Sequence, residues 1–362
     1  MKMLLAGGGT GGHLFPAVAL AECLLQIEPG SEVLFVGTRK GLEAKVVPEL
    51  GFALETIDIS GLVNKGLFGK LAMVPQLVRS LRQSKEILKK FAPDVVVGVG
   101  GYASGPMLLQ ATRMKIPTLI HEQNACPGLT NRLLAGRVRR VCLSFSEGEC
   151  PFNRGHLVMT GNPVRSGMRD CLAIPDGNPT LLVFGGSRGA RAINQVMVKM
   201  LGQLEDWRGK LTIQHQTGED DYEEVRRGYE EAGWDTSGVT PFIRDMASAY
   251  ASAHLVVCRA GATSVAELTA CGRPAILVPY PYAAGDHQSA NARALAKRGA
   301  ALMIPQNDLN EELLARIVRD LLQDRERLLS MAAMARSLAH PDAAEKILQE
   351  CRAVIAAAKA RS

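Results

Sequence analysis

Aromatic side chains are scarce: Phe, Trp and Tyr make up 5% of the 362 residues, with only 2 Trp. A core this poor in rings is aliphatic, which suits an α/β protein with many tight strand–helix turns. The 8 cysteines form no C-x-x-C pair, and no His cluster has metal-ligand spacing. Cysteines scattered singly in this way predict a reducing compartment and no structural zinc. No segment reads G-x-x-x-x-G-K-[ST], which excludes an ordinary nucleotide triphosphatase. The uncharged runs from Met3 to Ala21 and from Val95 to Thr112 are each broken by glycine clusters. Neither predicts a membrane-spanning helix, and no cleavage site is expected near the N-terminus, so the chain reads as cytoplasmic. Charge of one sign is also in short supply: the net charge of +6 suggests an anionic partner without naming it. No nucleic-acid partner is expected.

Glycine is plentiful, with 36 residues. The first stretch, Met1 to Ala6 followed by Gly7-Gly8-Gly9-Thr10-Gly11-Gly12-His13, predicts a strand, a glycine turn and a helix start. Helix N-termini carry unpaired N–H groups at the positive end of the dipole and attract anions. The device recurs at Gly98 to Pro106 and at Gly185 to Arg191. One such loop is weak evidence, because glycines also serve helix–strand packing. Three, each ending a strand, point to phosphate-bearing ligands. The G-x-G-x-x-G in the first loop keeps a dinucleotide-binding reading open, and His13 could equally be a solvated polar residue at a helix start.

At this length two domains are expected. Strands are predicted at 32–37, 54–59, 95–99, 118–121 and 140–143, with a helix at 42–49. The second half repeats the alternation at 181–184, 211–214, 239–242, 255–258, 275–278 and 301–304. Strands alternating with helices imply parallel sheets whose ligands sit beyond the C-terminal strand ends. The seam is expected near Gly161 to Arg165. The final helix, 343–360, could pack on either domain.

Between Gly61 and Phe91, Leu67, Leu71, Val74, Val78 and Leu81 share one helical face. Lys65, Lys70, Arg79, Arg82, Lys85, Lys89 and Lys90 surround them. This is either a basic, solvated helix surface or, with Leu62, Val63, Phe68 and Pro75, a patch for anionic lipid. Cys258 to Glu267 opens another helix with small residues and Thr263-Ser264. Glu267, about one turn in, could accept hydrogen bonds from ribose hydroxyls or merely complement the dipole. Asp286-His287-Gln288 suits sugar hydroxyls or a surface loop.

Seven segments occur in order: GGGTGGH (7–13), GGYASGP (100–106), HEQNACPGLTN (121–131), GNPVR (161–165), GGSRGA (185–190), CRAGATSVAEL (258–268) and DHQSANA (286–292). With these the chain closely resembles, over essentially its whole length, the MurG family of peptidoglycan glycosyltransferases. That family adds N-acetylglucosamine to a lipid-linked muramoyl-pentapeptide. The resemblance implies a GT-B fold of two doubly wound, Rossmann-like parallel-sheet domains facing across a cleft. Residues 1–163, completed by the helix 343–362, would form the acceptor and membrane domain, and 164–340 the UDP-N-acetylglucosamine domain. It further implies that backbone at Ile243 reads uracil, Glu267 the ribose, and Ala262, Thr263 and Ser187 the pyrophosphate. Arg165 would lie near the donor phosphates, and Asn124 and Gln288 would hold the sugar. Thr10, Gly11 and Gly12, with Tyr102 and Ser104, would face the acceptor pyrophosphate, the first three also lying by the donor. Arg188 stands where members often carry Gln, adding a cation to its loop.

The chemistry so implied is attack of the acceptor's 4-hydroxyl on the anomeric carbon, inverting α to β, through a transition state of oxocarbenium character. His13 is the expected base, with Glu122 behind it. No Asp-x-Asp is present to hold a divalent metal; helix N-termini and Arg165 are expected to stabilise departing UDP, and no cofactor is expected. The expected location is the cytoplasmic side of the inner membrane, peripherally bound. Two rivals share features. A dehydrogenase would want an acidic residue after the second strand, where Val36-Gly37-Thr38 has none; a hydrolysing UDP-sugar 2-epimerase would share the fold and the donor site.

Overall fold

The computed structural model describes residues 1–59, 74–145, 152, 154–171 and 173–360. The chain divides into two compact units, Met1–Arg165 with His340–Ser362, and Ser166–Ala339. The first unit carries β1 (Lys2–Gly7), α1 (Gly11–Ile27), β2 (Glu32–Gly37), α2 (Glu43–Glu49) and β3 (Ala53–Thr56). It continues through α3 (Val74–Phe91), β4 (Val95–Gly100), α4 (Ser104–Arg113), β5 (Thr118–Glu122), α5 (Leu129–Leu134), β6 (Arg140–Leu143) and β7 (Leu157–Met159). All strands run parallel in the order β3-β2-β1-β4-β5-β6-β7.

Strand alternation explains the two-sided core. Met3 and Leu5 face α1 and the last helix, Ala343–Lys359, which contributes Ala344, Ile347, Leu348, Cys351 and Val354. Leu4 and Ala6 face the other way, toward Leu88 of α3 and Met107, Leu108 and Ala111 of α4. Such strands, buried on both faces, read as continuous apolar runs. The last helix therefore belongs to the first unit, a choice its own pattern left open.

The second unit holds β8 (Thr180–Phe184), α6 (Arg191–Met200), β9 (Thr212–Gln216), α7 (Tyr222–Glu231), β10 (Val239–Thr240), α8 (Met246–Ser252) and β11 (Leu255–Cys258). There follow α9 (Ala262–Cys271), β12 (Ala275–Leu277), α10 (His287–Ala296), β13 (Ala301–Met303), α11 (Glu311–Gln323) and α12 (Arg325–Ser337). Its six strands are parallel in the order β10-β9-β8-β11-β12-β13. In both sheets the strand order reverses beside the first strand, between β1 and β4 and between β8 and β11. The carboxyl ends of such strand pairs form the ligand crevice of open α/β sheets.

Three expectations are corrected. Residues 157–159 form an edge strand, too short and polar-flanked to show in the pattern. Cys171 and Cys271, 100 residues apart, are paired with Cα atoms 4.8 Å from each other, so the cysteines do not all stand singly. In α3 the buried stripe runs through Ser80, Ser84 and Leu88, while Val78 is 43% exposed. Serine hydroxyls bonded to Leu77 and Ser80 carbonyls let that polar stripe lie against the sheet. Leu62, Val63, Lys65, Leu67, Phe68, Lys70 and Leu71 lie outside the described residues.

Candidate active site

The first crevice is built from backbone meeting backbone. Gly7 and Gly101 have φ of +147° and +78°, and a Cβ on either would strike the opposite loop, at the carbonyl oxygen of Gly100 or Gly8. At Gly100 (φ +92°) a Cβ would lie 2.9 Å from Cε1 of His13. Only glycine satisfies both the left-handed backbone and the approach of the imidazole. Thr10 precedes α1, whose first turn is Gly11, Gly12 and His13, and the His13 N–H donates to the Thr10 carbonyl at 3.2 Å. The Arg165 guanidinium lies over the Phe15 ring at 4.9 Å, which brings the end of the first unit to the side of α1.

A residue the sequence reading missed fastens this loop. Glu43, 1% exposed, accepts from the N–H of Gly9 at 2.6 Å and of Thr38 at 2.8 Å, and from the Thr38 hydroxyl at 3.0 Å. A carboxylate therefore does stand at the end of β2, supplied by α2 six residues on. Its oxygens are engaged by the glycine loop, and Gly9 N–H is spent on them.

Glu122, the second candidate for the base, has both carboxylate oxygens engaged. Its Oε1 accepts from Asn124 N (3.0 Å) and Nδ2 (3.2 Å), and its Oε2 from Gly128 N (3.0 Å) and Asn131 Nδ2 (2.8 Å). The carboxylate is a clasp for the loop before α5. Alternation along the strand turns the flanking His121 and Gln123 the other way, and Gln123 contacts His13, Nδ1 to Oε1 at 3.1 Å. Burial pulls His121 down to about 4, with the nearby His13 adding to this and the Gly161 carbonyl opposing it. Tyr102 is exposed at the same rim. Ser104 is fully buried, and a Cβ on Gly98 would lie 2.5 Å from its hydroxyl oxygen.

The other candidates lie on loops and helix starts of the second unit. Ser187 and Arg188 are exposed in the loop before α6. Gln216, from the end of β9, donates to the Gly186 carbonyl at 3.0 Å and steadies that loop. Gly261 caps α9, whose first residues are Ala262 and Thr263. Glu267 is 2% exposed on this helix, beside Cys258, whose thiol is pushed up by burial first and by that carboxylate second. Ile243 is half-buried after β10, and Gln288 accepts from Tyr280 N at 2.9 Å. Arg259 is held by the Val278 and Pro279 carbonyls and by Gln306. Among the described residues no group of three or more His, Cys, Asp or Glu is gathered as a metal site.

Residues 3–143 match the model of the glycosyltransferase family 28 N-terminal domain, and residues 180–347 that of its C-terminal domain. A UDP-N-acetylglucosamine–N-acetylmuramyl-(pentapeptide) pyrophosphoryl-undecaprenol N-acetylglucosamine transferase of Syntrophotalea carbinolica is 60% identical over 354 residues, covering 98% of this chain and 99% of that one. The chain belongs to the MurG family of glycosyltransferases. The crystal structure of Acinetobacter baumannii MurG superposes with a TM-score of 0.76 at 34% identity, over 97% of this chain and 99% of that one. The fold is GT-B. A UDP-N-acetylglucosamine 2-epimerase also matches, with a TM-score of 0.65 at 13% identity over 96% of this chain and 94% of that one. At that identity the likeness speaks for the fold alone.

Proposed function

We infer that this protein transfers N-acetylglucosamine from UDP-N-acetylglucosamine to the 4-hydroxyl of undecaprenyl-pyrophosphoryl-N-acetylmuramoyl-pentapeptide. The observation that carries the reading is 60% identity to such a transferase along nearly the full length of both chains. In this reading the second unit takes the donor. Backbone at Ile243 meets the uracil, Glu267 accepts from the ribose hydroxyls, and the N-terminus of α9 at Ala262 and Thr263, with Ser187, receives the pyrophosphate. The buried carboxylate of Glu267 suits that work, since charged acceptors make the stronger hydrogen bonds. Asn124 and Gln288 hold the sugar, and Arg165 assists the leaving phosphates.

The first unit takes the acceptor, with its pyrophosphate at the N–H groups of Gly11 and Gly12 beside Thr10 and Tyr102. His13 removes the proton of the 4-hydroxyl as its oxygen attacks the anomeric carbon and UDP departs. A single displacement inverts the linkage from α to β. Helix termini oriented before the reaction stabilise the charge that develops on UDP. Radiolabelled UDP-N-acetylglucosamine, incubated with and without the lipid-linked acceptor, tests the reading. Label should enter lipid only with acceptor; release of free sugar or its epimer without acceptor would establish the epimerase.

Access to a lipid-linked acceptor calls for a membrane surface, and no helix among the described residues is long and apolar enough to cross one. Docking is assigned to α3 and α5, at the cytoplasmic face of the inner membrane. Leu77 and Val78 are 46% and 43% exposed, and Leu129 and Leu133 are 60% and 68% exposed. The exposed Arg79, Arg82, Lys85 and Arg132 accompany them. Apolar tips with a basic surround suit an anionic bilayer.

A further inference from the structure

His13 heads a hydrogen-bonded chain that runs into the core of the first unit. Its Nδ1 lies 3.1 Å from Oε1 of Gln123. Nε2 of Gln123 reaches the Val99 carbonyl at 3.0 Å and Nδ1 of His121 at 3.2 Å. Nε2 of His121 ends on the Ser144 hydroxyl at 3.1 Å and the Gly161 carbonyl at 3.2 Å. Gln123 is 0% and His121 1% exposed.

The direction of every bond in the chain follows from its two carbonyls, which can only accept. Gly161 requires a hydrogen on Nε2 of His121. A neutral ring then has a bare Nδ1, which needs a donor, and the buried ring stays neutral. Only the amide nitrogen of Gln123 can serve Nδ1 of His121 and the Val99 carbonyl together, one hydrogen to each. The amide orientation is thereby fixed, and its oxygen faces His13. An amide oxygen cannot donate, so Nδ1 of His13 carries the hydrogen. Nε2 of a neutral His13 is left bare, and it has no hydrogen-bond partner among the described residues.

We propose that Gln123 is the positioning residue of the transfer: it holds His13 as the Nδ1–H tautomer, with Nε2 as the atom that receives the acceptor's proton. This rests on the reading of His13 as the base. In the step the acceptor's O–H bond breaks and its proton passes to Nε2. The oxygen pair forms the bond to the anomeric carbon, and the bond to UDP breaks with its electrons leaving on UDP. The imidazolium keeps its Nδ1–H on Gln123 and later returns the Nε2 proton to solvent. Which ring nitrogen of a histidine is protonated depends on the bond the other makes, so a His13 released from Gln123 is free to carry its hydrogen on Nε2.

The test is long-range 1H–15N correlation NMR of the full chain labelled at histidine, at a pH where the rings are neutral, beside steady-state kinetics. The wild type should show His13 protonated at Nδ1. Gln123→Met should move that hydrogen to Nε2 and lower kcat by about 10–100-fold, as losses of orienting partners do, with donor KM little changed. Gln123→Glu keeps an acceptor for Nδ1 and should keep the tautomer. Its charge should move the acidic limb of the kcat/KM profile to higher pH. A wild-type His13 protonated at Nε2, or a Gln123→Met tautomer unchanged in the folded variant, overturns the proposal. A tautomer that moves while kcat does not overturns the base reading and leaves the hydrogen-bond chain standing.

Discussion

Three carboxylates in this molecule do three different things, and their surroundings decide which. Glu122 accepts from N–H groups of its own loop and α5, whereas Glu43 accepts from the Gly9 N–H of the glycine loop and from the N–H and hydroxyl of Thr38. Glu267 is buried on α9 of the other unit, where it is the proposed acceptor for the ribose hydroxyls. Glu267→Ala should raise the donor KM, losing roughly 1.5–3 kcal/mol of hydrogen bonding to a charged group; an unchanged KM with varied UDP-N-acetylglucosamine would remove it from the donor site. Glu43→Ala should instead destabilise the first unit by about 1–3 kcal/mol, because the Gly9 and Thr38 N–H groups and the Thr38 hydroxyl lose their acceptor. Hydrogen exchange at Gly9 and Thr38 reads this directly, and protection equal to wild type would count against it. His13→Ala should lower kcat by roughly 10²–10⁴-fold at saturating acceptor, and near-normal turnover would pass the role to another group. Residue type and order along the chain reveal Glu267 and His13, since each follows a strand and opens or lines a helix. Glu43 and Gln123 stay hidden, because their partners lie on other elements and only the packed sheet brings them together.

Elements carry the binding chemistry through their ends and faces. The strands were readable because both faces of each sheet are covered, which makes an apolar run of the right length a reliable mark. The face of α3 was not: its stripe against the sheet is partly serine, which satisfies its hydroxyls within the helix, while Leu77 and Val78 point outward. Val78, read as part of the shared apolar face, is thereby surface. Replacing Arg82, Lys85 and Arg132 with Gln should weaken flotation with phosphatidylglycerol vesicles, at about 1 kcal/mol per charge and only at low salt. Arg79 is left out because Asp58 already holds it at 3.2 Å. Flotation equal to wild type would make the basic face a solvated helix surface. Helix N-termini are likewise the elements assigned to the departing UDP, so EDTA should leave turnover largely intact; full loss restored by Mg²⁺ would contradict that assignment.

For the whole molecule, buried histidines in both units tie stability to pH, His121 and His215 most strongly, with His254 lowered by burial in the same direction. His121 is lowered to about 4 and His215 to about 3, both chiefly by burial, against 6.5 for an exposed ring. Both rings are neutral when folded, so the unfolded chain binds more protons once pH falls below 6.5. Stability is full above that value and should fall by about 1.4 kcal/mol per pH unit for each ring as pH drops toward 4. Urea unfolding followed separately for each unit between pH 7 and 4 measures the slope, and a flat profile would mean that neither ring is desolvated. The order of synthesis adds a different consequence, drawn from the helix Ala343–Lys359. The second unit is continuous from Ser166 to Ala339 and can close its core while the chain is still on the ribosome. The first unit, though made earlier, waits: α1 lacks Ile347, Leu348 and Cys351 beneath it until the last helix emerges. A nascent chain therefore closes the core of its second unit before the helix that carries His13 is seated, and a late frameshift, far from His13 in sequence, disturbs the seating of that helix.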